Sequence, residues 1–282
     1  MGRINGDDCE SRGARGDEFS CKAEGGGRDN SLGVEPLTSD RLRRLLYDEG
    51  DLNAGGDADL EFWRAAAATT SGPIVEFGCG AGRILNAITT ADRTLVGLDI
   101  DADALSLARE RSPGAEWCQT DLLTWTPPEH LRRGTGLVIA GGDLLPLFTD
   151  TADLERLFAQ AATLLSPGGT FGIDATLIDA ELLSEAARDS AWSEDVRWVS
   201  EDFGAVRRES RLLHDPAGRL GCARLQIRHW EEGDATPDQR DPFAIRAWQP
   251  AELERIAEGV GLHLHQRGTV NRLRWLLRFT HA

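Results

Sequence analysis

The sequence contains a single lysine, Lys22, a single tyrosine and a single methionine, and it has no apolar run near the length of about 18 residues that a bilayer-spanning helix needs. Arginine therefore carries almost all of the positive charge, which reads as codon bias in a GC-rich genome rather than as chemistry. The cysteines at 9, 21, 79, 118 and 222 show neither the close pairing of a metal knuckle nor the density of a secreted disulfide framework. No metal site and a reducing, cytoplasmic location are expected. The first residues lack the apolar core of a signal peptide, and Asp7, Asp8 and Glu10 argue against a transit peptide. His263 and His265 alternate without a cysteine or acid at ligand spacing. The net charge of −16 opposes a phosphate-backbone partner, since nucleic-acid binding rests on a concentrated basic surface. A small substrate is expected, with no nucleic acid or membrane as partner.

What is present is a core. With 40% hydrophobic residues over 282 positions, one large α/β domain with an insertion is the size expectation. Residues 1–32 mix Gly, Arg, Asp, Glu and Ser with few apolar side chains and are expected to be a disordered tail. The ordered domain is expected over 33–282. Thr38-Ser39-Asp40 caps a helix carrying Leu42, Leu45, Leu46 and Tyr47, and a second helix spans roughly Asp57 to Ala68. From Ile74 the chain alternates strand and helix: strands at Ile74–Phe77, Thr94–Leu98, Ala115–Gln119, Leu137–Ala140 and Phe171–Thr176, helices at Gly82–Thr90, Ala102–Arg111 and Ala152–Leu165. This predicts a doubly wound, mostly parallel, seven-stranded Rossmann-like sheet, completed by Leu262–Gln266 and Leu273–Phe279. Residues 178–248 are expected to form an inserted antiparallel β lid with a hairpin at His214–Gly218; an exposed lid edge is compatible with a homodimer.

The chemistry sits where the first of these strands runs into Gly78-x-Gly80-x-Gly82 and then a helix. Glycines tolerate positive φ and let a ligand approach the backbone, and a helix N-terminus offers unpaired N–H donors. A tight turn without ligand gives the same triplet. Asp99, however, lies at the end of the next strand, where a carboxylate accepts both hydroxyls of a ribose, and Asp121 follows the third strand, placed for an adenine amino group. A dinucleotide fingerprint needs its third glycine where Arg83 stands, which favours S-adenosylmethionine over NAD.

Val75-Glu76-Phe77-Gly78-Cys79-Gly80-Ala81-Gly82-Arg83, Val96-Gly97-Leu98-Asp99-Ile100, Ala104–Arg109 and Leu164-Leu165-Ser166-Pro167-Gly168-Gly169 closely resemble class I S-adenosylmethionine-dependent methyltransferases. Leu46-Tyr47-Asp48, Leu60–Arg64 and Trp248–Leu253 resemble the flanks of the small-molecule, glycine N-methyltransferase-like branch. The resemblance implies that the loop, through Glu76, Gly78, Cys79, Gly80, Gly82 and Arg83, holds the methionine part, Asp99 with Ile100 the ribose side, and Asp121 with Leu122 the adenine. Ala140 and Gly141 would line the transfer region. Tyr47 would either cover the cofactor or pack its helix. Two departures stand out: Gly136 where many relatives carry Asp, and Gly141–Pro146 in place of a segment that often supplies Asn and His.

Methyl transfer from a sulfonium is an in-line displacement that needs alignment first and a base only for a protonated nucleophile. Asp143, just past the fourth strand, is the candidate base or substrate contact, with a solvated loop acid as its alternative. His229 shares a lid face with Leu225 and Ile227 and either points at substrate or is a satisfied buried histidine. Trp192, Trp198, Phe203, Trp230 and Trp248 would wall a substrate or form the lid core. The expected activity is methylation of a small-molecule N or O; the alternative is a non-catalytic S-adenosylmethionine-binding regulator or scaffold.

Overall fold

The computed structural model describes residues 39–88, 92–176, 178–269 and 274–281. The expected tail lies outside the described residues. Helices α1 (Ser39–Asn53) and α2 (Ala58–Ala68) precede β1 (Ile74–Phe77), α3 (Arg83–Ala87), β2 (Leu95–Asp99), α4 (Ala102–Arg111), β3 (Glu116–Gln119), β4 (Thr135–Ala140), α5 (Thr151–Leu164) and β5 (Leu165–Thr176). After α6 (Ala180–Asp189) come β6 (Ser193–Ser200), β7 (Gly204–His214), β8 (Cys222–Glu231), β9 (Asp238–Gln239) and β10 (Phe243–Arg246). Helix α7 (Pro250–Gly259), β11 (Leu262–Thr269) and β12 (Arg274–His281) follow.

Seven strands form one sheet in the order β11-β12-β5-β4-β1-β2-β3, with β12 antiparallel to both of its neighbours and the other pairs parallel. Every residue of β1 and β4 is buried, as a strand covered on both faces requires. Side-chain alternation then divides the core. Val75, Phe77, Val138 and Ala140 pack with α5 and α7, whereas Ile74, Leu137 and Ile139 pack with Trp63 of α2 and Ile84 and Leu85 of α3. Asp101 and Asp150 accept from backbone N–H groups in the first turns of α4 and α5, fixing those helix starts. The departure at Gly136 has a steric cause: a Cβ there would stand 1.7 Å from the Ser71 carbonyl oxygen.

The inserted strands form a second, antiparallel sheet in the order β10-β8-β7-β6, with β9 also paired to β8. The fold is thus Rossmann-like with an inserted β-rich region. Several boundaries differ from expectation. Strand β5 starts at the last turn of α5, and Ser166–Gly169 is accommodated as a bulge between the pairs Thr135–Leu165 and Leu137–Thr170. In the inserted region Gly204 takes φ +67° and turns the chain between β6 and β7. The lid aromatics do not form one wall. Trp198 and Phe203 pack edge-on against Tyr47, Trp192 and Trp230 lie under arginines, and Trp248 is buried in the main core.

Candidate cofactor site

At the carboxyl end of β1 the backbone turns sharply: Gly78, Gly80 and Gly82 have φ of +63°, +51° and +78°. The space where a Gly80 Cβ would point is open, whereas one on Gly82 would strike the Trp117 ring. One glycine thus keeps room for a ligand and the other lets α3 pack on the sheet. The Gly80 N–H donates to Asp99 Oδ2 at 2.7 Å and the Asp101 N–H to Asp99 Oδ1 at 2.8 Å, so the acid at the end of β2 faces the loop. Burial raises its pKa, against the pull of the Gly80 and Ile100 N–H groups.

Glu76 is buried, and burial drives its pKa well above the usual range; the Leu85 N–H opposes this and the nearby Asp99 adds to it. Its Oε2 has no hydrogen-bond partner among the described residues. The loop, Glu76, Arg83, Ile84, Gly141 and Gly142 border a cavity of about 180 Å³. Burial also raises the Cys79 thiol, with Glu76 and Asp99 pushing the same way, which disfavours the thiolate that a nucleophile needs.

The rest of the cavity wall comes from residues the sequence reading missed: Leu45, Asp48, Glu49 and Leu52 of α1. Their spacing of three, four and seven places them on one helix face, a signal that was present but indistinguishable from ordinary packing. The neighbouring face, Arg44, Tyr47, Asp48 and Asp51, meets the lid. Arg44 pairs with Asp238 at 2.6 Å and Arg240 with Asp48 at 2.8 Å. Asp51 accepts from Trp198 Nε1 at 3.0 Å and lies 2.9 Å from His229 Nε2. On the core side α1 is pinned by Arg41 to Asp101 and by Arg111 to Glu49.

Of the expected contacts, Ala140 and Gly141 are buried at the end of β4, and Ile100 presents an exposed apolar side chain after Asp99. Leu122 is buried, and Asp121 is exposed with Oδ1 accepting the Leu123 N–H. Tyr47 takes the packing role: its hydroxyl bonds Glu231 and its ring stacks on His229, so it turns toward the lid rather than over the cavity. His229 is buried between Tyr47 and Asp51, with Nε2 paired to Asp51 and Nδ1 without a hydrogen-bond partner among the described residues. Asp143 is not a free loop acid. At φ +61° its carboxylate turns onto the end of β5 and accepts from both the N–H and the hydroxyl of Thr176. These two candidate catalytic groups therefore serve separate joints, α1 to lid and β4 to β5.

A glycine cradle with an open approach, a buried carboxylate oxygen lacking a protein donor, and a second acid at the next strand end fit a cationic, ribose-bearing ligand. The family model described as "Methyltransferase domain" matches residues 74–169. Residues 74–169 are thus similar to a methyltransferase domain. The chain's curated relatives include the trans-aconitate 2-methyltransferase of Sinorhizobium medicae, 31% identical over 128 residues that cover 43% of this chain and 47% of that protein. The enzyme of the same name from Acidovorax ebreus is 27% identical over 66% of this chain and 77% of its own length. The chain spans about half the length of the first of these relatives. Among solved structures, an S-adenosylmethionine-bound amino pentose methyltransferase, CalS10 from Micromonospora echinaspora, superposes with a TM-score of 0.63. It shares 19% identity over 88% of this chain and 99% of its own, a likeness of fold. Among the described residues no helix is long and apolar enough to cross a membrane.

Proposed function

We propose that the chain methylates a nitrogen or oxygen of a small molecule, with S-adenosylmethionine as methyl donor. The observation that carries this reading is the pair of acids at adjacent strand ends around one glycine loop: Glu76, buried with an unpartnered oxygen, and Asp99, held toward the loop by the Gly80 N–H. The cofactor, when bound, supplies a methyl group activated by a positively charged sulfur. Glu76 and the loop would hold its methionine end, Asp99 with Ile100 the ribose side, and Asp121 and Leu122 the adenine. Ala140 and Gly141 would border the transfer region. The chain's own contribution is to bind and align, worth about 7–11 kcal/mol of barrier in well-oriented reactions, and to exclude water beneath α1. Trans-aconitate and an amino pentose, the compounds in the relatives' names, support a small acceptor and leave its atom as N or O.

Calorimetry with S-adenosylmethionine, its demethylated product and NAD tests the cofactor; binding of NAD alone defeats the proposal. Asp99→Ala should weaken binding at least about 100-fold, since two hydrogen bonds to a charged group at roughly 1.5–3 kcal/mol each are lost. A non-catalytic binder is the second reading, favoured by the engagement of the Asp143 carboxylate by Thr176. Incubation with methyl-labelled cofactor and a host extract separates the two: label in small molecules supports the enzyme, and binding without any transfer supports the binder.

A further inference from the structure

Glu76 is an acid set into an apolar sheet face. It pairs in register with Gly97 of β2 and Ile139 of β4, and alternation puts its side chain on the face of β1 that Ile74 shares with Ile84, Leu85, Leu137 and Ile139. The residue is 3% exposed, it borders the cavity, and its Oε2 has no hydrogen-bond partner among the described residues. Arg83, just past the glycine loop, is engaged elsewhere, by Asp59 of α2 at 2.6 and 3.2 Å and by Asn53 of α1 at 2.7 Å. The α1 acids Asp48 and Glu49 are paired with Arg240 and Arg111, Asp99 at the end of β2 is a further acid, and the Cys79 thiol is neutral. Burial, with Asp99, drives Glu76 toward its neutral form; the Leu85 N–H and the unbonded charge of Arg83 oppose this and are outweighed.

We infer that Glu76 carries a proton in the cofactor-free chain and loses it to solvent as the ammonium end of the cofactor enters the cavity, one cation taking the place of another on the same carboxyl group. This rests on the methyl-transfer reading above, in which Glu76 holds the methionine end. A buried carboxylate with a backbone donor and no counter-ion is expensive, and a bound proton removes that cost before the cofactor arrives. The ammonium then supplies charge and hydrogen-bond donors together, so the carboxylate becomes the favoured form. The carboxyl O–H bond breaks, the proton passes to the buffer, and no other covalent bond changes. Two consequences separate this exchange from an ordinary acid contact. Cofactor affinity weakens about tenfold for each pH unit below the free-chain pKa of Glu76 and levels off above it. Adenosine compounds without the amino acid end do not drive the exchange.

The test is calorimetric titration of the full chain at about pH 6.5, where the cofactor's own α-amino group is still charged. Repeating it in buffers of different ionisation enthalpy counts the protons released. S-adenosylmethionine and its demethylated product should each release about one proton more than methylthioadenosine, which keeps the adenosine that Asp99 would hold and lacks the ammonium. Glu76→Gln should bind S-adenosylmethionine at least about tenfold more weakly and without that proton, since a neutral amide has none to give up. A second measurement needs no ligand. Glu76→Gln copies the neutral acid, so its stability advantage over the wild type should widen between about pH 5 and 8, where the unfolded wild-type chain sheds this proton and the folded chain keeps it. Equal proton counts for the two ligand types, release that persists in Glu76→Gln, or a stability difference that stays constant with pH overturns the inference. If the variant fails to fold, the proton count of the wild-type chain decides alone. Failure of the wild-type chain to bind S-adenosylmethionine defeats the methyl-transfer reading and this inference together; binding without proton release defeats the inference alone.

Discussion

The two sheets of this chain are held in opposite ways. Around β1, β4 and β5 most side chains are apolar and buried, with the acids Glu76 and Asp174 buried among them and Phe77, Phe158, Phe171 and Phe279 in mutual edge or tilted contact. The inserted sheet is bound to itself and to α1 by charge. Glu209 serves both Arg207 and Arg228, arginines lie over Trp192 and Trp230, and Asp51, Asp48 and Arg44 tie the sheet to the helix roofing the cavity. Burial of apolar area is insensitive to salt and intolerant of lost volume, whereas exposed ion pairs contribute little each and are screened. The glycine loop is therefore built on the stiff sheet, and the helix that roofs the cavity is tied to the adjustable one.

That contrast can be broken most directly from the stiff side. Phe171→Ala should cost about 3–5 kcal/mol in denaturant unfolding, the range for a large aromatic lost from a closed core; a loss below about 1 kcal/mol would show that the main sheet is not held by packing. Asp51→Asn comes next. It leaves His229 and Trp198 facing an amide in place of a carboxylate, and should cost about 1–3 kcal/mol. Hydrogen exchange should then quicken along β7 and β8 around Val206 and His229 while β1 and β4 stay protected; uniform loss of protection would mean the two sheets open as one unit. Arg44→Gln should have the smallest effect, under about 1 kcal/mol, because the pair with Asp238 is partly exposed. Its effect should disappear in high salt, and persistence there would assign it a packing role instead.

How much of this was legible in the sequence follows the same division. Short apolar runs, turn glycines and strand-end acids are local signals, so β1, the glycine loop, Asp99 and the parallel order could be read directly. The hairpin at His214–Gly218 was legible for the same reason, through its turn residues. The roof was not. Leu45, Asp48, Glu49 and Leu52 look like any amphipathic helix face until the other wall of the cavity is known. Tyr47, His229 and Asp143 were found as chemical types, but their partners, Glu231, Asp51 and Thr176, lie 184, 178 and 33 residues away, and no local pattern announces such pairings. Arg83 was noticed for the glycine it replaces; its buried partner Asp59 was not singled out.

The position of β12 carries a consequence for biosynthesis. This strand sits between β5 and β11, and its Arg274 supplies the guanidinium between Asp59 and Asp174. It leaves the ribosome after every other strand described here. Until it arrives, β5 is a bare edge and Asp174 lacks its Arg274 partner, so a nascent chain can shape its glycine loop early yet stays vulnerable to edge-to-edge association until β12 inserts.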